Sequence, residues 1–301
     1  MNYFYIIIFL TTNKLFSKSL DEILINWDKI HKRNASVLIY ETKSSSIVFS
    51  YGSNLDLNKS YSIGSLMKPI SALILLEERE VFLKNKYSNC NGKINYQNFS
   101  LYDRDSYNLD KNTLYCSNHL GHGKIDLQDA ISYSCNTYFI NKVKIDSDLF
   151  LIKLHDYLFL NIEKDNQSLS ELDKIFVSIG ESKKIRFYLK DILSIYDFIV
   201  SNESKMNYKV LDKNREIVFN SLKLTLQNGT LKDLQSNQKK INLLAGKTGT
   251  STQIYNKKRT DAWILLYYEK ENSLFTLLVH VPKAKAKKEG KEVLQLILDN
   301  L

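Results

Sequence analysis

Proline is almost missing from this chain. Only Pro69 and Pro282 occur among 301 residues, alongside ten glycines. That scarcity excludes collagen-like, mucin-like and proline-rich extended sequences, and no internal repeat points to a solenoid. Cysteine is nearly as rare, with Cys90, Cys116 and Cys135. Outside the cytoplasm an odd count leaves one pair and one free thiol. A membrane-length apolar run is missing too: residues 3–10 form an apolar stretch of eight, too short to cross a bilayer as a free-standing helix. Acidic residues are outnumbered, 33 against 42 basic, for a net charge of +9. The basic residues are scattered apart from Lys283–Lys288, so the charge reads as mild attraction to anionic surfaces and not as a nucleic-acid footprint.

What remains is a chain that is 44% hydrophobic, enough for one large domain or two small ones. The run at 3–10 fits the hydrophobic part of a secretory signal, though no lysine or arginine precedes it. The expected division is a signal peptide or membrane anchor over 1–19 and a folded domain over 20–301. Ser19-Leu-Asp-Glu22 has capping-box spacing, and Leu20, Ile23, Leu24, Trp27 and Ile30 recur as on a helix over about 20–32. Runs 35–41 and 46–51 are rich in β-formers and read as a hairpin. Residues 84–124 are polar and aperiodic, a long surface excursion. Asp126 opens a helical stretch, and 145–235 spaces its apolar residues by three and four. Three strands follow, 242–252, 261–269 and 273–281, then a last helix with Val293, Leu294, Ile297, Leu298 and Leu301 on one face. Strands from both chain ends predict one antiparallel sheet with the terminal helices on one face. The helical middle forms a second lobe, and clefts between lobes favour ligands.

Three short patterns carry chemistry. Ser65-Leu-Met-Lys68 opens an apolar helix, and residues three apart share a helix face, so the amine reaches the hydroxyl. Burial disfavours the charged amine, and a neutral amine can serve as base for a weak hydroxyl nucleophile. Pro69 is tolerated there because the first turn of a helix has N–H groups without partners. Ser134-Cys-Asn136 places a hydroxyl and a carboxamide on one turn. Lys247-Thr248-Gly249-Thr250 puts two hydroxyls, a cation and a glycine in a strand, which fits a ligand lying along its edge.

In the order SxxK, SxN, KTG, these patterns resemble the penicillin-binding transpeptidase and serine β-lactamase superfamily. The likeness spans about 35–300. The wording around each pattern is similar to penicillin-binding proteins of the monofunctional cell-elongation type: GSLMKP, HGKIDLQDAISYSCNTYF and NGTL with AGKTGTS and TDAW. The resemblance implies an α+β fold, a five-stranded antiparallel sheet flanked by terminal helices plus a helical lobe, with the active site in the cleft between them. It implies a D,D-transpeptidase that cross-links D-Ala-D-Ala stem peptides and binds β-lactams covalently. Ser65 would be the nucleophile, Lys68 its base and Ser134 a proton relay. Asn136, Lys247, Thr248, Gly249 and Thr250 would bind substrate, with the N–H groups of Ser65 and Thr250 as the oxyanion hole. No cofactor and no catalytic metal is implied. The expected setting is the extracytoplasmic face of the membrane, with cell-wall synthesis partners there standing in for parts that other members carry ahead of this domain.

Other readings of the same site are a D,D-carboxypeptidase, a class D-like β-lactamase, and a penicillin-sensing or inactive scaffold. Asn136 argues against class D, and intact Ser65, Lys68 and Lys247 argue against inactivity. Glu163-Lys-Asp-Asn166 faintly resembles a β-lactamase loop. For the cysteines the expectation is a Cys90–Cys116 disulfide or free thiols. The rival is a zinc site of Cys116, His119 and His122 with Cys90 or Asp103. Cys135 is read as a small buried side chain.

Overall fold

The computed structural model describes residues 14–95, 113–160, 162–164, 168–182, 184–201, 208–234, 241–252 and 260–301. Its strands are β1 (Ser36–Glu41), β2 (Ser46–Tyr51), β3 (Ser60–Tyr61), β4 (Ser88–Cys90), β5 (Lys93–Asn95), β6 (Thr113–Tyr115), β7 (Gly123–Ile125), β8 (Ile162–Lys164), β9 (Ile185–Tyr188), β10 (Ile241–Thr252), β11 (Thr260–Lys270) and β12 (Ser273–Val281). The helices are α1 (Lys14–His31), α2 (Met67–Glu77), α3 (Arg79–Phe82), α4 (Leu127–Ser132), α5 (Asn136–Val143), α6 (Ser147–Leu158), α7 (Glu171–Val177), α8 (Leu189–Ser201), α9 (Asp212–Gln227) and α10 (Lys291–Asn300).

Five strands form one antiparallel sheet in the order β10-β11-β12-β1-β2, so both chain ends build it, as the strand pattern predicts. The sequence of β11 shows why it sits inside. Trp263, Leu265 and Tyr267 point to one core and Ile264, Leu266 and Tyr268 to the other. A strand covered on both faces reads as a continuous apolar run, even though its side chains alternate. One face packs against α1 through Leu20, Leu24 and Trp27 and against α10 through Val293, Leu294, Ile297 and Leu298. Burying each such aliphatic side chain contributes roughly 1.5–3 kcal/mol before entropy is counted. The other face packs against the helical lobe.

At the centre of that lobe lies α2, buried from Met67 to Leu76 on every side. Pro69 occupies its first turn, where the missing N–H breaks no helical bond. The preceding turn, Gly64–Leu66, is 3-10. Tyr196 fastens it by donating its hydroxyl to the Leu66 carbonyl at 2.8 Å, and Ser71 donates to Ser178 O at 2.9 Å.

Four local expectations change. Helix α1 begins at Lys14, so the Ser19–Glu22 pattern lies within a helix and caps nothing. Residues 1–13 fall outside the described residues. The excursion at 84–124 contains two two-stranded ribbons, β4 with β7 and β5 with β6. Three-residue strands are too short to show a period. Phe187 and Tyr188 belong to β9 and not to the helix that follows, because Ile185 and Phe187 bury alternately. Glu163 and Lys164 lie on β8 and not in a loop, while 165–167 are outside the described residues. Among the described residues no helix is long and apolar enough to cross a membrane.

Candidate functional site

The predicted residues meet where the 3-10 turn before α2, the α4–α5 turn and β10 come together. Lys68 is fully buried. Its Nζ lies 2.5 Å from Ser65 Oγ, 2.6 Å from Asn136 Oδ1, 3.2 Å from Ser134 Oγ and 3.0 Å from the Ser134 carbonyl. The one-turn spacing of Ser65 and Lys68 therefore does what the pattern predicts. Ser65 and Asn136 are only half-buried, while Lys68 and Ser134 are buried.

The α4–α5 turn explains how Ser134 and Asn136 reach the same point. Asp126 caps α4 by accepting from Gln128 N at 3.0 Å and Asp129 N at 3.1 Å. The helix ends after one and a half turns, and Ser134 takes a left-handed conformation with φ +59°. That backbone is unusual for a residue with a Cβ and costs on the order of 1 kcal/mol or more. It is held by Ser134 N donating to Ile131 O and Cys135 N to Ala130 O. The reversal aims Ser134 and Asn136 at Lys68 and leaves Cys135 pointing away.

The third element is β10. Lys247 is fully buried, and its amine donates to Ser134 Oγ at 3.0 Å and to Thr248 O at 2.8 Å. Ser134 Oγ thus bridges two lysines. Thr248 is buried and donates its hydroxyl to Thr230 Oγ1 at 2.8 Å. Thr250 accepts weakly from Ala286 N at 3.5 Å. Gly249 has a different reason from the one its strand position suggested. A Cβ there would stand 2.7 Å from the Ile63 carbonyl, so the backbone it admits is the chain's own, next to Ser65. Gly64 does the reciprocal job: at φ +52° its missing Cβ would come within 2.2 Å of Thr250 O. These two glycines let the serine turn lie directly on β10.

Burial decides the charge of both lysines. It holds the Lys68 amine down at about 8, opposed by the charges of Cys116, Cys135 and Glu181. It pushes Lys247 well below the usual lysine range, helped by the positive charges of Lys68 and Lys287. A lysine near 8 is partly neutral at physiological pH and able to take a proton.

Behind the same turn lies a second cluster, which shares Cys90, Cys116 and His122 with the rival zinc reading of the sequence. Cys90, Cys116, His122 and Cys135 place their ligand atoms within 4.8 Å of one another. All three cysteines are free and buried, so of the two expected states the free thiols are present and the Cys90–Cys116 disulfide is not. Cys116 Sγ lies 3.6 Å from Cys135 Sγ and 3.6 Å from His122 Nδ1, and Cys90 Sγ lies 3.4 Å from His122 Nδ1. Four ligands around one zinc ion, at ~2.3 Å for sulfur, stand about 3.7 Å apart. The set fits that tetrahedron, against the expectation of no metal at the site. Cys135 takes the place foreseen for His119, which instead stacks on Tyr115 at 5.0 Å. Asp103 lies outside the described residues. The protonation pattern suits a cation as well. The Cys135 S–H and the His122 ring pull Cys116 far below a normal thiol, Cys116 pulls His122 up, and the shared proton raises Cys135. A structural cation would take over the role of that proton. Two signals in the sequence pointed here: the odd cysteine inside Ser134-Cys-Asn136, and His122 flanked by glycines.

No protein-family model and no curated protein sequence matches the chain. Solved structures do. The D,D-transpeptidase domain of a peptidoglycan glycosyltransferase from Eggerthella lenta matches with TM-score 0.65 at 14% identity, over 96% of this chain and 81% of that one. The transpeptidase domain of Burkholderia pseudomallei penicillin-binding protein 3 gives 0.68 at 13%, over 97% and 92%. Penicillin-binding protein PBP2 of Helicobacter pylori, solved in complex with MreC, gives 0.66 at 16%, over 94% and 62%. At such identities the likeness is one of fold.

Proposed function

From the fold of a penicillin-binding transpeptidase domain, we propose that this chain is a serine acyltransferase acting on peptides that end in D-Ala-D-Ala, and that it cross-links peptidoglycan stem peptides. One observation carries the reading: a buried amine stands within hydrogen-bond reach of Ser65, Ser134 and Asn136 together. Neutral Lys68 takes the Ser65 proton as Oγ bonds to the penultimate D-alanine carbonyl carbon. The backbone N–H groups of Ser65 and Thr250 receive the oxyanion. The C–N bond then breaks, and the departing D-alanine nitrogen takes a proton relayed from Lys68 through Ser134. An amine on a neighbouring stem peptide attacks the acyl ester, loses its proton by the same route and frees Ser65. Lys247 and Thr248 hold the terminal carboxylate, and Asn136 holds a substrate amide. A β-lactam mimics the donor and stays on Ser65.

The thiol cluster is assigned a structural Zn²⁺ held by Cys90, Cys116, His122 and Cys135. It supplies no step of acyl transfer. It fixes Cys90 of β4, Cys116 after β6 and His122 before β7 to the turn that carries Ser134 and Asn136. Residues 1–19 act as export signal or anchor, placing the domain on the extracytoplasmic face with cell-wall synthesis partners, a reading supported by the similar Helicobacter pylori protein, which was solved in complex with MreC.

The test is incubation with a fluorescent penicillin, read by intact mass. A long-lived adduct, absent in Ser65→Ala, supports the proposal. Rapid nitrocefin turnover would redirect it to a β-lactamase, and no adduct at all to a scaffold.

A further inference from the structure

The basic run at Lys283–Lys288 plays no part in the acyl transfer just described. It follows β12 and enters a π-helical turn at Ala286–Gly290. Ala286 and Gly290 are buried, with Gly290 packed on Ala262 and Ile264, so the turn is seated firmly while Lys287 stays exposed. Lys287 borders a cavity of about 640 Å³. Lys232 lines the same cavity, together with Ser117, Tyr133, Asn228 and Thr230. That volume is within the range of small-ligand pockets.

Two residues of the cavity wall touch the reactive site. Ser117 donates its hydroxyl to the carbonyls of Tyr133 and Ser134, at 3.1 and 3.2 Å. Thr230 is the residue that receives the Thr248 hydroxyl. The charge of Lys287 reaches both buried lysines, depressing Lys68 and Lys247 alike.

The charge of this cavity is one-sided. No carboxylate is among its described lining residues. Neighbouring lysines are matched differently: Lys288 faces Glu289 at 4.0 Å, and Lys291 pairs with Asp233 at 3.1 Å. A solvated charged face is convex and mixed in sign. Two cations lining one concave, polar-walled space form a receptor for an anion.

We propose that Lys232 and Lys287 form a subsite for a second carboxylate of the peptide substrate, upstream of the terminal one, so that the enzyme selects acidic stem peptides over amidated ones. This rests on the acyl-serine reading above. Both lysines are exposed, so each contributes modestly and in a salt-dependent way.

Two synthetic pentapeptides ending in D-Ala-D-Ala test it, identical except that one upstream side-chain carboxylate is a carboxamide in the second. The readout on the full chain is the concentration of each that halves the rate of Ser65 labelling by fluorescent penicillin. At low salt the carboxylate peptide competes about fivefold better. The ratio falls to about one in Lys232→Met/Lys287→Met and at high salt, and inverts in Lys287→Glu. Lys288→Met, outside the cavity, keeps the ratio. Because both peptides meet the same Lys68, the ratio is insensitive to its pKa. Equal competition, no competition, or a preference that survives the double variant overturns the subsite. Absence of Ser65 labelling would instead sink the acyl-serine reading. Calorimetric binding of the two peptides to Ser65→Ala then reads the subsite ratio without it.

Discussion

Ser134 and Asn136 turn toward Lys68, with Ser134 also meeting Lys247, while Cys135, the residue between them, turns toward two sulfurs and an imidazole. Three consecutive residues thus serve two polar clusters a few ångströms apart. The clusters handle buried charge in opposite ways. Around Lys68 and Lys247, burial disfavours positive charge, and at Lys68 it leaves an amine ready to accept a proton. Around Cys116, sulfur and ring protons concentrate negative charge and leave a site ready to accept a cation. One cluster is built to exchange protons during a reaction, and the other to be filled once and stay fixed. The left-handed Ser134 is the hinge between them, and its strain is tolerated because both sides hold it.

The largest expected effect breaks the first cluster alone. Lys68→Arg keeps a cation but removes the group that can become neutral. Acylation by a fluorescent penicillin should fall by about a thousandfold, the size of a lost general base. Zinc content should not change. The uncharged Lys68→Met, which fits the buried site more easily, should lose as much. Near-normal acylation in both would remove Lys68 as the base.

Next in size is the second cluster. Purified protein should carry one equivalent of zinc, measured by elemental analysis, with Cys116→Ser losing it. Zinc at a hundred times its dissociation constant stabilises the native chain by about 2.7 kcal/mol, which a strong chelator removes. In thermal unfolding this is a fall of roughly 5–10 °C in the native protein and almost none in Cys116→Ser. No zinc and no chelator response would mean that the thiols are held only by their shared proton.

A pH series tests whether the clusters sense each other. With the Lys68 amine at about 8, it is protonated and unable to act as base at lower pH. The acylation rate should climb about fiftyfold from pH 6 to pH 8 and level off above. Burial sets this midpoint, while the negative charge of Cys116 opposes it. Neutralising that charge, by Cys116→Ser or by bound zinc, should move the midpoint to lower pH. A midpoint that ignores Cys116 would separate the two clusters electrostatically.

The two clusters also differ in how far they can be read from sequence. The oxygen and nitrogen site was legible because each short pattern sits on or beside an element with its own signature. Pro69 begins an apolar helix, Asp126 caps another, and Gly249 interrupts a strand. The sheet was legible because β1, β11 and β12 are near-continuous buried runs rich in β-formers, bounded by short polar links. The thiol site gathers Cys90 from β4, Cys116 after β6, His122 before β7 and Cys135 from a turn. Its ligands come from short ribbons whose pairing no local pattern announces. Once three-residue strands set the geometry, spacing along the chain says little, and so the zinc reading includes His119 and leaves out Cys135.

The smallest expected effect lies at the back of β10, where Thr230 holds Thr248. Thr230→Val keeps the shape and removes the oxygen that accepts the Thr248 hydroxyl at 2.8 Å. Both residues are buried, so the orphaned hydroxyl should cost about 1 kcal/mol of stability. Penicillin acylation should fall by no more than about tenfold, because Lys68, Ser65 and Ser134 are untouched. Zinc content should stay at one equivalent. The informative quantity is how the loss divides. If Thr248 positions the substrate carboxylate, the change appears as weaker binding of penicillin before acylation, with the maximal rate kept. A fall in the maximal rate alone would mean that Thr230 acts through Ser65 and the strand beneath it, so that β10 is a scaffold for the nucleophile more than a holder of substrate.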